Sequence, residues 1–160
     1  MYRILDIIRG TTVDGPGFRT SIYMAGCIHH CEACQNPQSW DYKNGKEMSL
    51  DEIMAVVEEE DFNVTLSGGD PLYEPKDTAV LVERLKRDGR NVWVYTGYRW
   101  EDIIGTASLL DAVKEADVVV DGEFIVSQRN IDLPFRGSSN QRIIDVGKSL
   151  KEGRVVLFMS

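Results

Sequence analysis

The sequence predicts an α/β fold, an open or partial βα barrel on a mainly parallel sheet. Three observations carry that expectation. Short apolar runs alternate with amphipathic stretches of about ten or more residues, the pattern of right-handed βαβ units. The chain has 160 residues, enough for one domain over 1–160 with a real core and no disulfide staples. A closed barrel of eight such units takes about 250 residues, so this chain has room for roughly five or six and the barrel stays open.

In chain order, Ser21 to Ala25 reads as a buried strand leading into a loop that holds all three cysteines. Ser49-Leu50-Asp51-Glu52 is a capping box, in which the Ser49 hydroxyl and the Glu52 carboxylate each satisfy a free backbone N–H at a helix start. The helix that follows carries Leu50, Ile53, Met54 and Val57 on one face and Asp51, Glu58 and Glu59 on the other. Phe62 to Leu66 is a short strand ending at Ser67-Gly68-Gly69-Asp70-Pro71. A second helix is expected from about Asp77 to Asp88, with Leu81, Val82 and Leu85 as its apolar face and Gly89 as its terminator. Asn91 to Tyr95 is a strand, Trp100 to Ala116 contains helix, Asp117 to Val120 is a strand, and Val155 to Met159 is a last one. On this reading the cysteine loop and the Gly-Gly loop both leave the C-terminal ends of strands, the edge where open α/β sheets place their sites.

Composition removes several functions. With 42% hydrophobic and 28% charged residues the chain is globular in type. Lys plus Arg number 18 against 26 Asp plus Glu, a net charge of −8, and a surface this acidic repels nucleic-acid phosphates. No apolar run approaches the roughly 18 residues of a membrane helix. Met1 to Gly10 mixes charge with its hydrophobes, which argues against an export signal. A cytoplasmic protein with neither nucleic-acid nor membrane partners is expected. The three cysteines then read as metal or redox chemistry, because an odd, clustered set cannot form a disulfide framework.

Cys27, Cys31 and Cys34 have the spacing C-x3-C-x2-C. Three thiolates on so short a loop converge on one centre. One candidate is structural zinc, with His29 or His30 completing a Cys3His set. Against it, zinc loops usually gather ligands as two separated pairs, and no second pair exists here. The other candidate is a [4Fe–4S] cluster, which usually takes four cysteines. With three, one iron keeps an open position for a substrate.

The surrounding residues resemble the radical S-adenosylmethionine (SAM) superfamily. The resemblance rests on Val13-Asp14-Gly15-Pro16-Gly17-Phe18-Arg19-Thr20 and on Gly26-Cys27 through Asn36-Pro37-Gln38-Ser39-Trp40. More narrowly, these stretches are similar to the activating enzymes of glycyl-radical proteins. Leu66 to Leu72, Trp93 to Tyr98, Val120 to Phe124 and Phe135 to Gln141 narrow the likeness to the branch acting on anaerobic ribonucleoside-triphosphate reductase. The match runs from an N-terminal strand to about Arg142. It implies a partial barrel of the radical SAM type, a [4Fe–4S] cluster on Cys27, Cys31 and Cys34, and SAM as the molecule bound at the open iron. It further implies that flavodoxin or a similar donor supplies one electron, that SAM is cleaved to methionine and a 5′-deoxyadenosyl radical, and that this radical takes a hydrogen atom from a glycine of the partner reductase.

Two departures bear on the SAM contacts. Many superfamily members have an aromatic residue just before the third cysteine, where this chain has Ala33. Adenine contacts are therefore expected from the backbone of Ala33, Cys34 and Gln35. The commoner Gly-Gly-Glu loop is Gly68-Gly69-Asp70 here, a shorter carboxylate that the narrower family shares. Glycines let a ligand approach the backbone, and their carbonyls accept hydrogen bonds from an ammonium group. By resemblance this loop holds the SAM amino group, with Gly69 as the main contact.

Other features carry plainer readings. Asp14-Gly15-Pro16-Gly17 is a turn by composition and, by resemblance, lies towards the cluster and the protein substrate. Arg136 to Gln141 is a polar loop, either simply solvated or open to SAM or partner contact. Glu58 to Asp61 is a solvated helix end, and Trp93, Tyr95, Tyr98 and Trp100 read as core packing. The competing functions are a zinc-stabilised interaction module, a simple electron carrier, and a pyruvate formate-lyase activase.

Overall fold

A computed structural model describes residues 1–31 and 37–159. Its strands are β1 (Tyr2–Thr11), β2 (Arg19–Met24), β3 (Lys46–Met48), β4 (Asn63–Gly68), β5 (Val92–Tyr95), β6 (Val118–Asp121), β7 (Arg142–Asp145) and β8 (Leu157–Met159). They form one sheet in the order β3-β1-β2-β4-β5-β6-β7-β8. The helices are α1 (Leu50–Glu60), α2 (Pro75–Arg87), α3 (Trp100–Ile104), α4 (Ala107–Val113) and α5 (Val146–Glu152). Among the described residues no helix is long and apolar enough to cross a membrane.

The α/β class holds, and the sheet is open and mixed. Its centre, β2-β4-β5-β6, is parallel. Both flanks are antiparallel: β1 against β2 and β3, and β7 against β6 and β8. The first flank has a simple cause. Residues 12–18 join β1 to β2 and are too few for a parallel crossover, which needs about a dozen residues or more.

The expected helices form with adjusted ends. Ser49 Oγ accepts from Glu52 N–H and Glu52 Oε1 accepts from Ser49 N–H, both at 3.1 Å, so the capping box starts α1. The second helix begins at Pro75, whose fixed φ suits a first helical position. It ends where Gly89, at φ +79°, turns the chain back onto the Lys86 carbonyl. Gly105 and Thr106 break the stretch after Trp100 into α3 and α4.

The parallel strands alternate sides, and each side has its own layer. Ile22, Leu66, Val94, Val119 and Ile144 stand in register across five strands, fully buried beneath the helices with Leu81, Leu85 and Ile103. Burying a side chain of this size contributes about 1.5–3 kcal/mol. The opposite row is Ser21, Thr65, Trp93 and Val118. There Trp93 packs edge-on against Phe135 and Phe158, each with ring centroids 5.5 Å away. Arg19 is buried on the same side. Its guanidinium donates to the Thr65 hydroxyl and to the Val64 and Asn91 carbonyls, and burial lowers its pKa to about 10. Gly15 lies so close to Arg19 Cδ that an added Cβ would come within 2.9 Å of it, so the Asp14–Gly17 turn lies against this face. The four parallel strands bring the starts of their following loops, at Ala25, Gly69, Thr96 and Gly122, to one edge of the sheet.

Candidate functional site

Cys27 and Cys31 line one cavity with His29, Trp40, Gly68, Gly69, Thr96, Gly97 and Glu123. Two of the three cysteines and the glycine loop thus share a wall. Ala33, Cys34 and Gln35 lie outside the described residues. The loop after β2 is fixed at this edge by backbone bonds: Gly69 N–H donates to the Met24 carbonyl at 2.8 Å, and Asp70 N–H donates to Gly26 at 2.7 Å.

Those bonds explain the two glycines. A Cβ on Gly69 would lie 2.5 Å from the Gly26 carbonyl oxygen and 2.7 Å from that of Ser39. One on Gly68, at φ +108°, would strike the Met24 backbone. Side chains are excluded here by the close approach of the end of β2, the Gly26 backbone and the Ser39 carbonyl. The expected reason was room for a ligand; the space that a Cβ would take is filled by protein backbone.

Asp70 does more than the sequence suggested. It is 2% exposed, and both carboxylate oxygens are engaged within the protein. Oδ1 accepts from Leu72 N–H at 2.8 Å; Oδ2 accepts from the Thr96 hydroxyl at 3.0 Å and from Gly97 N–H at 2.9 Å. One carboxylate therefore joins the loop after β4 to the loop after β5.

His29 extends that tie. Its Nε2 lies 2.9 Å from Asp70 Oδ2 at ion-pair distance, although the N–H is not aimed along a hydrogen bond. Its Nδ1 is 2.8 Å from Glu123 Oε2, in the loop after β6. The ring lies against Gly97, where a Cβ would meet it at 2.5 Å, and Tyr98 packs on it edge-on at 4.7 Å. Burial disfavours the charged ring, but Asp70 and Glu123 outweigh it and hold the pKa above the ordinary histidine value. With a carboxylate at each nitrogen, His29 serves as a strut between four loops. A zinc ligand would need one of those nitrogens for the metal.

The donor set suits an iron–sulfur group. The Cys27 thiol is buried, which raises its pKa, while hydrogen bonds from the His29 and His30 amides act the other way and favour a thiolate. The Trp40 indole N–H is buried and has no acceptor among the described residues. Soft sulfur ligands beside a buried, unused N–H donor match a group that itself presents sulfur acceptors.

A family model described as a 4Fe-4S single cluster domain matches residues 13–144. The anaerobic ribonucleoside-triphosphate reductase-activating protein of Salmonella typhi is 36% identical over 140 residues, covering 81% of this chain and 89% of that protein. The chain belongs to this activating-protein family. Two further relatives of the same name agree: that of Escherichia coli K12, 33% identical with 81% of this chain and 89% of its own covered, and that of phage T4, 33% identical with 82% and 86% covered.

For a member of the activating-protein family, sequence reasoning missed several participants. Thr96, Gly97 and Glu123 had no assigned role, and Tyr98, read as core packing, stands against His29 at the site. Asp121 is 1% exposed, accepts from Trp100 N–H, and pairs with Arg142, which also reaches Glu101 at 2.7 Å. The available signal was a polar residue beside a glycine at the end of a buried strand, in Thr96-Gly97 and in Asp121-Gly122. The Arg136–Gln141 loop is anchored rather than merely solvated: Gln141 Nε2 donates to the Gly122 carbonyl and Asn140 Nδ2 to that of Glu123. Asp14 faces the same side, accepting from the Ser21 and Tyr23 hydroxyls. Trp93 and Trp100 are core residues as expected, and among the described residues Glu59 and Glu60 pair with Arg9 at the helix end.

Proposed function

We propose that this chain is a radical SAM activase. It reductively cleaves S-adenosylmethionine at a [4Fe–4S] cluster held by Cys27, Cys31 and Cys34, and it generates a glycyl radical on anaerobic ribonucleoside-triphosphate reductase. The observation that carries this reading is the meeting of Cys27, Cys31 and the Gly68–Gly69 loop in one cavity, in a chain of the activating-protein family. We read the open sheet as the partial βα barrel of the radical SAM type, residues 1–160 as one such domain, and the cytoplasm as its compartment.

Cys27, Cys31 and Cys34 would hold the cluster, which would supply the one-electron reduction of the SAM sulfonium, drawn from flavodoxin or a similar donor, that the removal of the partner's glycine hydrogen requires. The protein's part is to bind, orient and keep water out. The Cys27 thiol gives up its proton to become a ligand, helped by the two amides that face it. The Gly68 and Gly69 carbonyls are assigned to the SAM amino group, and the backbone of Ala33, Cys34 and Gln35 to the adenine. Asp70 is assigned to the same end of SAM through the loop it shapes. A cavity of about 670 Å³ continues past His29 and Glu123 to Tyr98, Asp102, Asn140 and Arg142, a size and polarity suited to a nucleoside. Another of about 630 Å³ opens over the sheet between Asp14, Tyr95 and the 131–137 segment. We assign it to the partner's glycine loop.

The deciding experiment mixes the reduced protein and SAM anaerobically with the reductase or with pyruvate formate-lyase and records the glycyl-radical signal by electron paramagnetic resonance. A signal with the reductase is expected. A signal only with the formate-lyase reassigns the partner, and release of 5′-deoxyadenosine with no signal from either leaves the chemistry without its substrate.

A further inference from the structure

We infer that Trp40 donates a hydrogen bond from its indole N–H to a sulfur of the cluster, either a sulfide or a ligating thiolate, and thereby raises the cluster's reduction potential. The inference rests on the cluster reading above and adds a residue and a role to it. Trp40 Nε1 is fully buried and has no acceptor among the described residues. Indole nitrogen is a donor only, so a buried one needs an acceptor. Trp40 lines the cavity shared by Cys27 and Cys31. His29 Nε2 is also without a directed bond there, but it has the Asp70 carboxylate at 2.9 Å. The indole has no such neighbour among the described residues.

The backbone holds the ring in place. Pro37–Trp40 is a 3-10 turn, and its end is bonded to the start of the cysteine loop: Gly26 N–H donates to Ser39 at 2.6 Å and Cys27 N–H to Trp40 at 3.3 Å. His30 stacks on the indole at 4.4 Å with the planes 10° apart, and does so with a positive φ of 47°. That backbone conformation is uncommon for a residue other than glycine. The indole plane is thus clamped beside Cys27 and cannot turn its N–H elsewhere without unstacking. The sign of the effect follows from charge. Reduction adds an electron to the cluster, the reduced state is the better acceptor, and a donor to its sulfurs stabilises that state and raises the potential.

The test uses the whole chain, reconstituted anaerobically, with iron and sulfide assayed first. The wild-type protein carrying 15N-indole tryptophan is reduced, and pulsed electron paramagnetic resonance looks for coupling of the cluster spin to an indole nitrogen and to an exchangeable proton. Trp93 packs with Phe135 and Phe158, and Trp100 lies in the main core, so neither lines the cysteine cavity. Both couplings are expected, and both should vanish in Trp40→Phe. At a solution potential that half-reduces the wild-type cluster, the reduced-to-oxidised ratio of Trp40→Phe should fall several-fold. Wild-type couplings settle the matter if that variant fails to load iron. Full iron in the wild type without either coupling overturns the Trp40 role and leaves the cluster reading standing. Wild-type protein holding no iron overturns the cluster reading itself.

Discussion

Replacing Asp70 by alanine separates a carboxylate that braces the protein from one that touches a ligand. The substitution strands the Leu72 and Gly97 amides and the Thr96 hydroxyl, and it leaves His29 facing one carboxylate in place of two. Each stranded buried donor costs about 1–3 kcal/mol. The hydroxyl can rotate, so the two amides and the lost partner of His29 dominate, and breaking such a buried charged network costs about 3–5 kcal/mol. For a chain of this length each kcal/mol moves the melting temperature by about 2–4 °C, so Asp70→Ala should melt roughly 6–20 °C below wild type. Metal-free protein is the sample, followed by circular dichroism on heating and checked by urea titration. Asp70→Asn keeps an oxygen for Leu72 but turns an NH2 towards Thr96 and Gly97, and should fall between the two. If metal-free Asp70→Ala melts within about 2 °C of wild type, the brace is refuted. A loss of SAM binding without a loss of stability would then make Asp70 a ligand contact.

Three further outcomes follow from the same geometry. Alanine at Cys27, Cys31 or Cys34 should reduce reconstituted iron from roughly four atoms per chain and abolish SAM cleavage, as read by metal analysis and 5′-deoxyadenosine release. Gly69→Ala should lower both stability and iron loading, because its Cβ would press on the Gly26 and Ser39 carbonyls; normal iron loading with weakened SAM binding in calorimetry would instead favour a purely ligand-directed glycine. The Arg142 hydrogen bond holds the Glu101 carboxyl below its ordinary range. Its contribution is therefore present above the unfolded value and lost as pH falls through the lowered folded one. Because Glu101 is half exposed, wild type should exceed Glu101→Gln in stability by at most about 1 kcal/mol at pH 7, and urea titrations should converge in acid.

What the sequence made legible was whatever a short window can carry. The Ser49–Glu52 capping box, the apolar face of α2 and the buried strands β2, β4, β5 and β6 are local patterns, and each appeared close to its expected place. Strands β3 and β7 and helix α5 span three, four and seven residues and lack the continuous apolar run that marks the equally short β5 and β6, so neither a run nor a period stands out. The antiparallel pairing of β1 with β2 was missed because it follows from the short 12–18 connection and not from composition. At the site, Cys27, Cys31, Gly68 and Gly69 were legible because spacing and glycine pairs are visible in one dimension. The ties from Asp70 to Thr96 and Gly97, and from His29 to Glu123, join residues up to 94 positions apart. No window along the chain contains such a pair.

That division has a physical reason with experimental weight. In a parallel sheet the loops at the carboxyl edge are strangers in sequence and neighbours in space, so a constellation assembled there needs its own cross-links. Here Asp70 and His29 supply them with side chains, and Gly68 and Gly69 do so by letting backbones touch. The residues that a motif search marks as ligand contacts are therefore also the ones that hold the loops together. Loss of activity on replacing any of them does not by itself identify a contact. The order of measurement has to be stability of the metal-free protein, then iron loading, then SAM affinity. Only a variant that passes the first two and fails the third marks a group that touches SAM.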